Sequence, residues 1–201
     1  KTDKKGTEVT FLADPEIFEE TYYDYDVLLT RLREQAFLNK GINIVFSDLR
    51  GEEIRRKELK YDGGIMSFVE YKNKGKTPIH EEVIYIECQR GDTYAEIAMQ
   101  YTDAYSENII SFANNINTTE GGTHETGFKT ALTKVFNEYG KKYGFLKDAD
   151  TKLTGEDCRE GLVAVISVKL TEAQFEGQTK GKLGNTEMTK LVSNTVYNKL
   201  S

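Results

Sequence analysis

Residues 162–185 read LVAVISVKLTEAQFEGQTKGKLGN, and the fold turns on how this stretch is divided. Leu162 to Leu170 is an apolar run of strand length, and it reads as a buried strand. Gln174 to Asn185 then sets glycines at 177, 181 and 184 around an amide, a hydroxyl and a lysine. Glycine permits the backbone angles that a protruding loop needs. Gln178 offers two amide donors, and Lys180 an ammonium on a flexible stem. Such a tip is suited to reach out of its own domain toward an anion held elsewhere.

Outward from that loop, the chain divides into strands and helices. Asp24 and Asp26 suit the positive end of a helix over Tyr25 to Lys40, with Leu28, Leu32 and Ala36 on one face and Gly41 at its exit. Ile42, Ile44 and Phe46 alternate as a strand, and Ile54 to Leu59 returns as a charged edge strand. Gly63-Gly64 opens a short helix through Phe68 and Val69. Ile84, Ile86 and Cys88 lead to a hairpin turn at Arg90-Gly91-Asp92, and the return strand covers Thr93 to Tyr101. A further strand spans Asn108 to Ile116. The following helix uses Phe128, Leu132, Val135 and Tyr139 on one face, and a last helix starts near Thr186. Hairpins with helices grouped between them predict an α+β domain of two layers.

Bulk properties bound the function. A length of 201 residues fits one domain with trimmings, and 38% hydrophobic with 11% aromatic residues is enough for a core. A net charge of −6 argues against a surface that is basic throughout, although a local basic face is compatible with it. No apolar run approaches bilayer length, and the first residues carry no signal-peptide pattern. Cys88 and Cys158 lack CxxC spacing and read as reduced thiols, which with the preceding points predicts a cytoplasmic protein with no membrane partner.

The loop QTK at 178–180 resembles the motif of that name in the bacterial type IIA topoisomerases, the gyrase B and topoisomerase IV families. Four further stretches agree in order and spacing: GTEVTF at 6–11, RLREQAFLNKG at 31–41, NNINTTEGGTHETGFKTALT at 114–133, and GEDCREGLVAVISVKL at 155–170. The resemblance implies the transducer part of an ATPase region. Residues 1–14 would be the last strand of the nucleotide-binding (GHKL-type) domain, 15–185 the transducer, and 186–201 the start of a C-terminal linking helix. It also implies a fold like the second domain of ribosomal protein S-five, a two-layer sandwich with a mixed sheet and helices on one face.

By the same resemblance, Lys180 and Gln178 would reach the γ-phosphate of ATP in the preceding domain of the same chain, and Thr7 would lie beside the adenine. Lys180 would be the catalytic contact, and Thr179 would shape the loop. ATP and Mg2+ would be needed by the parent enzyme, with none bound to this portion. The partners would be DNA, the preceding ATPase domain, and the gyrase A protein in an A2B2 holoenzyme, with this portion itself a monomer.

Blander readings stand beside these. A glycine-rich loop with a lysine is more often a solvated loop, and only the five segments in register outweigh that. Lys182 reads as solvated. His124 has no second histidine or cysteine at ligand spacing, so it reads as a helix-start histidine bonded to the Gly121-Gly122 turn rather than a base or metal ligand. Glu120 and Glu125 read as helix N-terminal charges, and Glu156-Asp157 as a turn cap paired with Arg159. Arg31, Arg33, Lys40, Arg55, Arg56 and Lys57 are the basic candidates for phosphate contacts. The near alternative is the equivalent domain of topoisomerase IV. The distant one is a stand-alone, non-enzymatic interaction domain, which the acidic balance disfavours as a nucleic-acid binder.

Overall fold

The computed structural model describes residues 5–147 and 152–201. Helix α1 spans Tyr25–Leu38, and Asp24 caps it by accepting the Val27 N–H at 2.8 Å. Strands β1 (Ile44–Asp48) and β2 (Arg55–Leu59) pair as a separate antiparallel hairpin, and helix α2 covers Ile65–Lys72. Strands β3 (Ile84–Arg90) and β4 (Thr93–Tyr101) form the predicted hairpin. They are followed by β5 (Asn108–Ala113), β6 (Ile116–Asn117) and helix α3 (Thr123–Lys142). Strand β7 (Leu162–Lys169), the short pair β8 (Phe175–Glu176) and β9 (Lys182–Leu183), and helix α4 (Thr186–Leu200) complete the chain.

The main sheet has the order β3-β4-β7-β5-β6, with β5 parallel to β7 and every other pair antiparallel. A parallel pair needs a long crossover; here that connection contains α3. Strand β7 lies at the centre, bonded on both edges, and all its residues except Lys169 are buried. Its alternate side chains feed two cores. Ala164, Ile166 and Val168 pack with Ile97, Phe128, Leu132 and Val192 under α3 and α4, while Val163 and Val165 pack with Phe37, Phe68 and Phe112 under α2. Each fully buried aliphatic or phenyl side chain contributes about 2 kcal/mol.

The α+β class with a mixed sheet is as the sequence implies. The layer on one face consists of α3 and α4, and the opposite face carries α2 with the end of α1, so helices are not confined to one side. The alternation in β7 requires this, because a strand apolar on both faces must be covered twice.

Three local expectations are corrected. The last strand expected within residues 1–14 is not formed by the described residues: Val9, Phe11 and Leu12 are 77%, 75% and 93% exposed, and among the described residues no ladder pairs with them. The strand Asn108 to Ile116 is instead a hairpin, reversed at Asn114 and Asn115, whose φ values of 49° and 64° give the paired positive angles of a type I′ turn. Tyr139 is half exposed rather than part of the core, and its ring lies tilted against that of Tyr143, with centroids 4.4 Å apart.

Gly122 is a close joint between the turn before α3 and strand β9. A Cβ there would lie 2.6 Å from both the N and the O of Leu183, and its φ of +142° disfavours any side chain. Gly122→Ala should therefore lower the unfolding free energy by about 2 kcal/mol or more in a urea titration, since backbone atoms cannot step aside as a side-chain end can.

Candidate functional site

The hairpin β8–β9 pairs Phe175 with Leu183 and Glu176 with Lys182, leaving Gly177 to Gly181 as a five-residue tip. Both ends of the tip are fixed. Leu183 is fully buried, donates its N–H to the Gly121 carbonyl at 3.2 Å, and makes a parallel bridge with Gly122. The Glu120 N–H donates to the Gly181 carbonyl at 2.9 Å. Below the tip, the buried Asn185 accepts the Gln174 N–H at 2.7 Å and donates to the Glu172 carbonyl at 3.0 Å, tying the two sides of the loop together. Lys182 pairs with Glu176 across the hairpin at 3.1 Å, so it is held rather than merely solvated.

The tip itself is open. Gln178, Thr179 and Lys180 are all exposed. Lys180 has a φ of +55°, and its N–H reaches the Gly177 carbonyl at 3.4 Å. That left-handed angle costs a non-glycine residue about 1 kcal/mol or more. Among the described residues Lys180 makes no ion pair; its Nζ lies 5.9 Å from the centre of the Phe175 ring. An exposed contact of this kind is worth about 0.5 kcal/mol, so the ammonium leaves it easily for an anion. The loop is thus a fixed base carrying a cation and an amide that point outward. Thr7 is also exposed and lies in the irregular first segment.

The turn that grips the loop is buttressed from inside. His124 is fully buried, and its Nε2 lies 3.2 Å from Thr118 Oγ1 rather than bonding the Gly121-Gly122 turn itself. Burial is the main cause that pulls its pKa down to about 4. Glu125, expected as a plain helix-start charge, accepts from Ser111 Oγ at 3.0 Å and pairs with Lys129 at 2.8 Å. Nothing in the sequence pattern marks these partners as neighbours; only Ser111 stands out, as a polar residue within the apolar run Ile109 to Ala113. Among the described residues no cluster of three or more His, Cys, Asp or Glu side chains can hold a metal ion.

The acidic pair at 156–157 caps as expected, with Asp157 Oδ2 accepting from the Thr154 N–H and hydroxyl at 2.7 Å each, bonds that lower its pKa. Arg159, however, turns to Glu107. Four of the six basic candidates are engaged by neighbouring side chains. Arg31 pairs with Glu34 and Arg55 with Asp48, Arg33 donates to Tyr71, and Lys40 covers the Tyr85 ring, whereas Arg56 and Lys57 are exposed on β2. Arg50, which the sequence did not single out, binds Asp48 through Nε and Nη2 and, with Arg55, holds that carboxyl well below the usual range. Both thiols are free, and among the described residues no helix is long and apolar enough to cross a membrane.

His124 gives the site a pH dependence. Its folded-state pKa of about 4 lies below the ordinary 6.5, so the unfolded chain takes up the proton more readily. Its contribution is complete above the ordinary value and is lost as the pH falls toward the folded one, by about 1.4 kcal/mol per pH unit. Urea titrations across this range should show a shallower pH slope for His124→Gln than for the unaltered chain; parallel curves would mean that His124 is not held neutral.

A sequence model described as DNA gyrase B matches residues 64–201. The DNA gyrase B protein of Clostridium acetobutylicum is 56% identical over the whole chain, which covers 31% of that protein; its Enterococcus faecalis counterpart is 56% identical over 94% of the chain and 29% of its own length. The chain thus spans less than a third of these relatives. Among solved structures, the 43K ATPase domain of Thermus thermophilus gyrase B, in complex with an aminocoumarin, matches with a TM-score of 0.78 and 38% identity, covering 93% of this chain and 50% of that one. The topoisomerase IV ATP binding domain of Francisella tularensis matches at 0.75 with only 27% identity, covering 93% and 50%. Of the two families left open by the QTK loop, the sequence agreement falls on the first: the chain belongs to the DNA gyrase B family.

Proposed function

We propose that this chain is the transducer portion of the ATPase region of a gyrase B protein, within an ATP-dependent type II topoisomerase, and that its QTK tip senses the nucleotide. In this reading residues 15–185 form the transducer, residues 1–14 belong with the nucleotide-binding domain, and α4 begins the helix that links onward. Lys180 and Gln178 contact the γ-phosphate of ATP held by the preceding domain, and Thr7 lies on the adenine side. Mg2+ accompanies the nucleotide there. The holoenzyme contains the gyrase A protein in an A2B2 assembly and passes one DNA duplex through another, in the cytoplasm.

The observation that carries this reading is the build of the loop: an exposed ammonium on a strained backbone, mounted on a base that is bonded on both sides. A charge placed by a fixed frame needs little reorganisation when negative charge develops on a transferring phosphoryl group. The exposed apolar residues of the first segment, Phe11 and Leu12 among them, suit burial against a neighbouring domain. Loss of the γ-phosphate would remove the contact at Lys180, and the domain would then move as a rigid body.

In the full-length protein complexed with its gyrase A partner, Lys180→Ala should slow ATP hydrolysis by about 100-fold or more while nucleotide affinity changes far less. Gln178→Ala should act in the same direction and more weakly. Hydrolysis within twofold of the unaltered enzyme after Lys180→Ala would overturn the reading. So would ATP turnover by the isolated 201-residue chain that survives the same substitution.

A further inference from the structure

The Gly121-Gly122 turn that grips the loop has no side chain to hold it, and its φ values are +74° and +142°. Its shape must therefore be set by what flanks it. On one side, Thr118 is fixed twice to Ser111. Its N–H donates to the Ser111 carbonyl at 2.9 Å, and its hydroxyl lies 2.9 Å from the same carbonyl and 2.7 Å from Ser111 Oγ. The Thr118 carbonyl then accepts the Gly121 N–H at 2.8 Å. On the other side stand His124 and Glu125, at the start of α3.

These four side chains join beneath the turn. The Glu125 carboxylate, paired with the Lys129 ammonium, only accepts, so Ser111 Oγ donates to it. The Thr118 hydroxyl in turn donates to Ser111, and His124 Nε2 must carry the proton that reaches Thr118 Oγ1. His124 Nδ1 is left with no partner among the described residues. Ser111, Thr118 and His124 are all buried, where apolar residues would pack at lower cost. Continuing Lys129 to Glu107, and Glu107 to Arg159, the chain of contacts reaches the surface.

From this geometry we propose that Ser111, Thr118, His124 and Glu125 are positioning residues for Lys180. The link is short. Thr118 sets the turn, the Glu120 N–H two residues later holds the Gly181 carbonyl, and Gly181 adjoins Lys180. The inference rests on the nucleotide-sensing role of the loop. It adds that the reach of the ammonium is fixed by a buried polar relay in β5, the β6 turn and α3, and not by the hairpin alone.

A double-mutant cycle in the full-length protein with its partner tests it. Thr118→Val keeps the shape and deletes the hydroxyl; it should lower kcat for ATP hydrolysis about tenfold, move KM for ATP less than about twofold, and be restored by Thr118→Ser. In a Lys180→Ala background the same substitution should have no further effect on kcat, because it acts through that lysine. Should Thr118→Val fail to fold, as judged by its thermal melt, Glu125→Gln carries the same cycle. If Lys180→Ala is itself silent, the nucleotide-sensing reading fails. If Lys180→Ala is damaging but the relay substitutions are silent, or multiply its effect, that reading survives and the relay is overturned.

Discussion

The constraint on which this structure depends is the complete enclosure of β7. It is hydrogen-bonded along both edges, to β4 and β5, and covered on both faces. The backbone of a strand so placed is paired along both edges, and all its apolar side chains leave water. Because odd and even residues face opposite cores, a register slip of one residue would exchange Ile166 for Val165 in every contact. The loop that follows therefore leaves the sheet from a point that cannot drift.

From that exit, the chain is tied down again within a few residues. Asn185 joins the two sides of the hairpin base, Leu183 is buried beside Gly122, and Gly181 is held by Glu120. What remains exposed is the tip with Gln178, Thr179 and Lys180. The positive φ at Lys180 is tolerated because both ends of the tip are over-determined. A glycine would adopt the angle more readily but would bring no charge. The backbone strain and the exposed ammonium thus occur at the same residue.

Much of this was legible in the residues. The run LVAVISVKL announces a buried strand, Asp24 announces a helix start that its capping bond to Val27 realises, and Gly91-Asp92 places the β3–β4 hairpin. The loop at 177–181 is marked by its glycines. Less legible were features set by partners far along the chain. Asn114-Asn115 reads as part of a strand until β6 folds back, and Val9 and Phe11 alternate like a strand although no ladder among the described residues receives them. Likewise Arg159 turns to Glu107 rather than to the acids beside it, and His124 finds Thr118 rather than the adjacent glycines.

The sequence by itself determined the local pieces: the enclosed strand, the first helix with its Asp24 cap, and a glycine-flanked tip bearing Gln178 and Lys180. Periodicity, capping and turn chemistry act between residues a few positions apart, so they can be read along the chain. Only the tertiary structure decided that helices cover both faces of the sheet, and that Thr118, His124, Ser111 and Glu125 meet beneath the turn. Those meetings follow from which strands pair and which helix faces dock. Such choices are made by burial summed over the whole core, to which no short stretch of residues holds the key.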